Sequence, residues 1–163
     1  MKSGNPKLFR DLDLSWIKNA VVILDIDGTL LADNKLVGGE APSTIDAIDG
    51  ATLAKVRELG GRNQVYLVSN GKDHGRRERI AAQIGNVKYH PTDFYKPNPK
   101  SVRGILPQDE RAVFVIVDKL LTDGLLALRI DAPFIQVGSL RMQKESLLVS
   151  AAYRIDNWTQ SFL

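Results

Sequence analysis

Two carboxylates separated by one residue stand where the apolar run Ala20 to Leu24 ends, in Asp25-Ile26-Asp27-Gly28-Thr29. Side chains alternate faces along extended backbone. Asp25 and Asp27 can therefore point the same way, one to attack an electrophile and the other to transfer a proton or help hold a cation. An Asp-Gly turn with solvated carboxylates would account for this pair taken alone; the companions elsewhere in the chain argue for chemistry. The run Val65 to Val68 leads into Ser69-Asn70-Gly71, which places a hydroxyl and an amide where a helix beginning nearby would also offer backbone N–H groups to a phosphate. The run Ala112 to Val117 leads into Asp118, with Thr122-Asp123 following, so a second acidic pair ends a second apolar segment. Hard oxygen ligands of this kind suit Mg²⁺, which keeps several waters and is commonly shared with substrate phosphate. Lys96-Pro97 lies between these segments and supplies a fixed positive charge.

The elements that must carry these residues follow from hydrophobic patterning. Ala20–Leu24 and Ala112–Val117 are too short for helices and rich in β-branched residues, so they read as buried strands; Val65–Val68, Asn86–Tyr89 and Phe134–Val137 complete a set of five. One helix is expected to start at Pro42-Ser43-Thr44 and stop at Gly60-Gly61, with Ile45, Ile48, Leu53, Val56 and Leu59 as its apolar stripe and Gly50 weakening its middle. A second is expected over Gly75–Ile84 before Gly85, and a third over Lys100–Leu106 before Pro107. Alternating strands and helices predict an α/β fold, a parallel sheet with helices on both faces and ligands beyond the carboxyl ends of the strands. No repeat or linker divides the chain, so residues 1–163 are read as one domain.

Taken in order, DIDGT, SNG, KPNP and VDKLLTD resemble the four motifs of the haloacid dehalogenase-like (HAD) superfamily hydrolases, over Val21 to Asp123. The resemblance implies a three-layer Rossmann-like sheet ordered 5-4-1-2-3, in which strands one and four are neighbours and bring Asp25, Asp27 and Asp118 together. It implies a phosphatase in which Asp25 attacks phosphorus and Asp27 protonates the leaving oxygen, then deprotonates the water that hydrolyses the aspartyl phosphate. Mg²⁺ would be held by the Asp25 carboxylate, the Asp27 backbone carbonyl and Asp118, with Asp123 acting through water or orienting Asp118. Ser69, Asn70 and Lys96 would bind the phosphorylated substrate, Lys96 also keeping Asp25 ionised. Lys100 competes for the motif-three role, and the Lys-Pro dipeptide favours Lys96. The chain departs from the family pattern at Val117, where glycine is frequent, at Lys119, where an uncharged polar residue is frequent, and after Asp123, where GLLALRIDAPF lacks a glycine-rich turn.

Neither Leu31–Asn63 nor Lys72–Tyr95 has room for an inserted cap, which is the capless class III (subfamily A) arrangement and implies an open site. The lead-in DLDLSWIKNAVVILDIDGTLLADN, the Ser-Asn pair and the Thr-Asp ending look most like the phosphatidylglycerophosphate phosphatase-related branch. A lipid-borne substrate would give Leu8, Phe9, Leu12, Leu14, Trp16 and Ile17 a peripheral membrane surface to form, although such stripes more often face a core. Lys72, His74, Arg76, Arg77 and Arg79 cluster near the expected mouth, where they could recruit a phosphorylated group; a solvated helix face explains them at least as well.

Composition bounds the alternatives. The 163 residues are 44% hydrophobic and 25% charged, the usage of an ordinary globular domain. No cysteine is present, which excludes disulfides, thiolate zinc sites and a cysteine nucleophile. The N-terminus lacks a continuous apolar signal core and no segment approaches the ~20 apolar residues that span a bilayer, so a cytoplasmic protein is expected and the Asn157-Trp158-Thr159 sequon is read as accidental. A formal charge of +3 suits an anionic ligand, and the absence of interleaved aromatics argues against nucleic acid. Three functions compete: a phosphatase for a large or lipid-borne phosphomonoester, a phosphatase for a small sugar phosphate or nucleotide whose site is completed in a homo-oligomer, and a catalytically weak binding or scaffold protein that keeps the fold.

Overall fold

The computed structural model describes residues 6–32, 45–70 and 72–140. It contains a parallel sheet of five strands, β1 (Val21–Leu24), β2 (Gln64–Leu67), β3 (Val87–Tyr89), β4 (Val113–Val117) and β5 (Phe134–Gln136), in the spatial order 3-2-1-4-5. This is the expected order 5-4-1-2-3 read from the other edge. The central strand β1 pairs Val21–Leu24 with Gln64–Leu67 on one side and with Val113–Ile116 on the other, so the ends of three strands lie level.

Alternation along the strands feeds two cores. Val22, Leu24, Val65, Leu67 and Ile116 pack against Val56 and Leu59 of helix α1 (Gly50–Arg62) and Ile80, Ala81 and Ile84 of helix α2 (His74–Ile84). Ile23, Val68, Val115 and Val117 pack on the other face with Val102, Ile105 and, from helix α3 (Leu125–Arg129), Leu126 and Ala127. Strands buried on both faces read as unbroken apolar runs, which is why β1 and β4 stood out in the sequence. Val117 is spent in the second core, so this departure fills packing space.

Several expected boundaries are corrected. The start proposed at Pro42-Ser43-Thr44 falls outside the described residues; Ile45–Ala47 forms a separate 3-10 turn, and α1 begins at Gly50, capped by Asp49, which accepts from the Thr52 amide (3.0 Å) and hydroxyl (2.7 Å). Gly60-Gly61 does not stop the helix, which runs to Arg62. Gly60 serves packing instead, because a side chain there would collide with the Asn86 carbonyl in the turn before β3. The expected helix over Lys100–Leu106 is replaced by two 3-10 turns, Pro99–Ser101 and Arg103–Ile105; Asn98 caps the first through the Lys100 amide (3.0 Å). Prolines at 97, 99 and 107 leave too little uninterrupted chain for an α-helix.

The lead-in is mostly core. Phe9, Leu14 and Ile17 are buried against the α1/α2 face and Leu12 packs partly there, while exposed Trp16 stacks edge-on against Phe114 with ring centroids 5.3 Å apart. Little of the suggested membrane surface is left. No helix among the described residues is long and apolar enough to cross a membrane. Lys72–Tyr95 is occupied by α2, β3 and their short connections, with no inserted domain.

Candidate active site and cation centre

Because β1, β2 and β4 are parallel neighbours, the residues that follow them share one edge of the sheet. The chain turns sharply after Asp25. The Leu30 and Leu31 amides both reach the Ile26 carbonyl (2.9 and 3.0 Å), the Gly28 amide donates to the Leu31 carbonyl (2.6 Å), and Gly28 adopts φ +95°. A Cβ at Gly28 would be strained at that φ and would also collide with Asp118 Oδ2. Gly28→Ala is therefore expected to displace the Asp118 carboxylate and lower the thermal midpoint by several degrees, about 2 kcal/mol, checked by calorimetry of the two proteins side by side.

Asp25, Asp118 and Asp123 each present a carboxylate oxygen within 4.8 Å of the others, and all three are buried. Asp123 reaches the cluster through a π-helical turn, Leu120–Gly124, which wraps the chain back toward the end of β4. Lys96 Nζ donates to Asp25 Oδ1 (2.9 Å), to the Val68 carbonyl (2.9 Å) and, very closely, to Asp123 Oδ1. Asn70 fixes the lysine from the backbone side, its Oδ1 accepting from the Lys96 amide (2.7 Å) and its Nδ2 donating to the Lys96 carbonyl (3.3 Å). The rival Lys100 is exposed, its ammonium 5.4 Å above the Phe94 ring.

With all three carboxylates ionised, one buried ammonium would leave a charge near −2 in a desolvated place, a deficit that one divalent cation would cancel. The Asp118 Oδ1 atom is buried without a hydrogen-bond partner, which makes it the natural ligand atom. These three aspartates can hold a metal ion. The Asp27 side chain is not part of that set.

Titration follows from the same crowding. Burial raises the Asp25 carboxyl, and Asp123 adds to this, against the opposing pull of Lys96 and Lys119. Asp118 is pushed up to about 7 by burial and by Asp25 and Asp123, with Lys119 and the Ser139 hydroxyl opposing. Burial alone would depress the Lys96 ammonium, but Asp123 and Asp25 outweigh it and hold it above its ordinary value. A raised carboxyl pKa means that the folded state binds the proton more tightly than the unfolded chain. Its stabilisation is full below 3.8 and is lost as pH climbs through about 7. A cation needs the ionised carboxylates, so its effect runs the other way. We expect Mg²⁺ at about 100 Kd to raise the melting temperature by about 5–10 °C at pH 8 and by much less at pH 5, measured by thermal melts with Mg²⁺ and with a chelator.

The second carboxylate of the pair has other partners. Asp27 Oδ2 accepts from Arg77 Nη2 and from Ser69 Oγ, both at 3.1 Å, and Oδ1 accepts from Arg76 Nη1 at 3.4 Å. Arg76 and Arg77 are buried, not the solvated helix face that their charge suggested, while Lys72 and Arg79 of the same cluster are exposed. The legible signal was spacing: Arg77 falls on the stripe it shares with Ile80, Ala81 and Ile84, the buried side of α2. Ser69 thus meets Asp27, while Asn70 meets Lys96. The segments that follow Asn70 and precede Lys96 also line a pocket of about 340 Å³, formed by Lys72, His74, Thr92, Asp93 and Tyr95.

No family model and no curated protein matches the sequence. Among solved structures, a chain of the Pnkp1/Rnl/Hen1 complex is similar at 21% identity and a TM-score of 0.49; the match covers 85% of this chain and 51% of that one, so this chain spans about half the length of the chain it matches.

Proposed function

We propose that the chain is a Mg²⁺-dependent phosphomonoester hydrolase of the HAD-like type, working through an aspartyl phosphate on Asp25. The observation that carries this reading is the meeting of Asp25 with Asp118 and Asp123, from distant parts of the sequence, around one buried lysine. Buried charge of one sign is costly unless it is used, and an anionic nucleophile facing an anionic phosphate needs positive charge at the transferred oxygens. In this reading Asp25 attacks phosphorus in line, Lys96 and Ser69 bind the phosphoryl oxygens, and Asp27 moves the proton. Bound at Asp25, Asp118 and Asp123, with the Asp27 carbonyl as a further ligand, Mg²⁺ would offset charge on the phosphoryl group.

The absence of an inserted domain over Lys72–Tyr95 favours a substrate too large to be enclosed, of which a phosphatidylglycerophosphate-like lipid is one case. The polar lining of the pocket formed by Lys72, His74, Thr92, Asp93 and Tyr95 favours instead a hydroxylated leaving group, as in a sugar phosphate or nucleotide, with the site completed in a homo-oligomer. A third reading, a weak binding protein, draws on Lys119, whose ammonium stands 3.9 Å from Asp118 Oδ2 and competes with a cation. Release of p-nitrophenol from its phosphate with Mg²⁺, compared between wild type and Asp25→Asn, tests the enzyme reading, and equal rates would leave the binding protein. A panel of phosphatidylglycerophosphate, sugar phosphates and nucleotides, read beside gel filtration, separates the first two.

A further inference from the structure

Asp25 and Asp27 are two residues apart, yet their carboxylates are drawn to different partners. Asp25 goes to Lys96 and the acidic cluster, whereas Asp27 goes to Ser69 and to two guanidiniums on the first turn of α2. Each arginine addresses a different oxygen of Asp27, which fixes the plane of the carboxylate as well as its position. The clamp is itself braced. Arg77 Nη1 donates to the Asp73 carbonyl (2.9 Å), Asp73 caps α2 through the Arg76 amide (2.9 Å), and Arg77 is among the largest fully buried side chains of the protein. Two adjacent buried arginines cost more desolvation than packing alone would justify, since leucines at the same positions would extend the apolar stripe of α2.

We propose that Arg76 and Arg77 are positioning residues that aim Asp27 as the proton acceptor of the second half-reaction; this rests on reading the chain as a phosphohydrolase. In the first half-reaction an Asp25 oxygen bonds to phosphorus and the bond to the leaving oxygen breaks, its electron pair departing with that group. In the second, a water oxygen bonds to phosphorus, its proton passes to Asp27, and the bond from phosphorus to Asp25 breaks, restoring the carboxylate and releasing inorganic phosphate; Asp27 then gives the proton to the next leaving oxygen or, where that group needs none, to solvent. With a leaving group that needs no proton, an acceptor in the wrong orientation slows only this second half.

The test uses the full chain with Mg²⁺ and 2,4-dinitrophenyl phosphate, whose phenolate leaves without needing a proton. After rapid mixing, Arg77→Met should release about one equivalent of dinitrophenolate per chain in a burst and then turn over about 100-fold more slowly than wild type, with acid-quenched protein carrying a base-labile phosphate. Arg77→Lys should recover part of the steady rate. If burst and steady rate fall together, or neither changes, the positioning role is overturned. Should Arg77→Met lose its far-ultraviolet circular dichroism, Arg76→Gln is judged by the same criteria. A wild type no faster than Asp25→Asn is a different result, which overturns the phosphohydrolase reading along with the proposal.

Discussion

Replacing Asp25 with Asn is expected to reduce Mg²⁺-dependent hydrolysis of p-nitrophenyl phosphate by on the order of 10⁴-fold or more, to the rate of the uncatalysed background. The amide keeps the volume of the carboxylate at the end of β1 but has no anionic oxygen to bond phosphorus. The same change removes one of the three negative charges of the candidate cation centre and leaves Lys96 a neutral acceptor in place of a charged one. The Mg²⁺-dependent rise in melting temperature should therefore shrink with the activity. A variant that lost activity while keeping the full Mg²⁺ response would place the nucleophile outside the cation's reach. A variant that kept activity would show that a group other than Asp25 attacks phosphorus.

The largest change in stability is expected at Lys96. Removing the ammonium in Lys96→Met leaves Asp25 and Asp123 as buried carboxylates without that partner, beside Asp118, and strips the Val68 carbonyl of a donor. Breaking a buried pair from one side costs about 3–5 kcal/mol, because desolvation is retained while the attraction is lost. Urea unfolding of the metal-free protein at pH 8, where the carboxylates are most ionised, should show a loss of that size. Mg²⁺ should restore part of it, since a divalent cation supplies the missing positive charge. A loss below about 1 kcal/mol would mean that water or a proton neutralises the cluster without the lysine. Activity should fall as well, so stability and turnover must be measured on the same preparation.

The sequence exposed those features whose cause is local. β1 and β4 are buried on both faces, so their residues must be apolar throughout, and the run itself announces the strand and the place where Asp25 or Asp118 emerges. The sheet order was implied by the resemblance of the four motifs and is the order observed. What escaped depends on contacts between distant segments. Gly60-Gly61 read as a helix stop because glycine commonly ends helices, whereas Gly60 is needed for the approach of the Asn86 backbone, which nothing near residue 60 reveals. Asp49 as the true cap was hidden behind the more conspicuous Pro-Ser-Thr triplet upstream. Arg76 and Arg77 were hidden by their charge: two guanidiniums are ordinarily placed in water, and the carboxylate of Asp27, on another element, helps to make their burial tolerable, with the Asp73 carbonyl also accepting from Arg77. The helix α3 was masked by the search for a glycine-rich turn, although Leu125, Leu126, Ala127 and Leu128 favour helix on propensity.

The short stretch after β5 threads together parts of the molecule that are otherwise remote. Gly138 bridges to Leu8 and its amide donates to the Lys7 carbonyl (2.8 Å), the Ser139 hydroxyl donates to Asp118 Oδ2 (3.1 Å), and the Leu140 amide donates to the Gly28 carbonyl (2.7 Å). Three consecutive residues thus act as a suture between the lead-in, the candidate cation centre and the loop after Asp25. Slack introduced at any one stitch would reach the others, so the rigidity of this end of the sheet is a property of the threads held together and belongs to none of them separately.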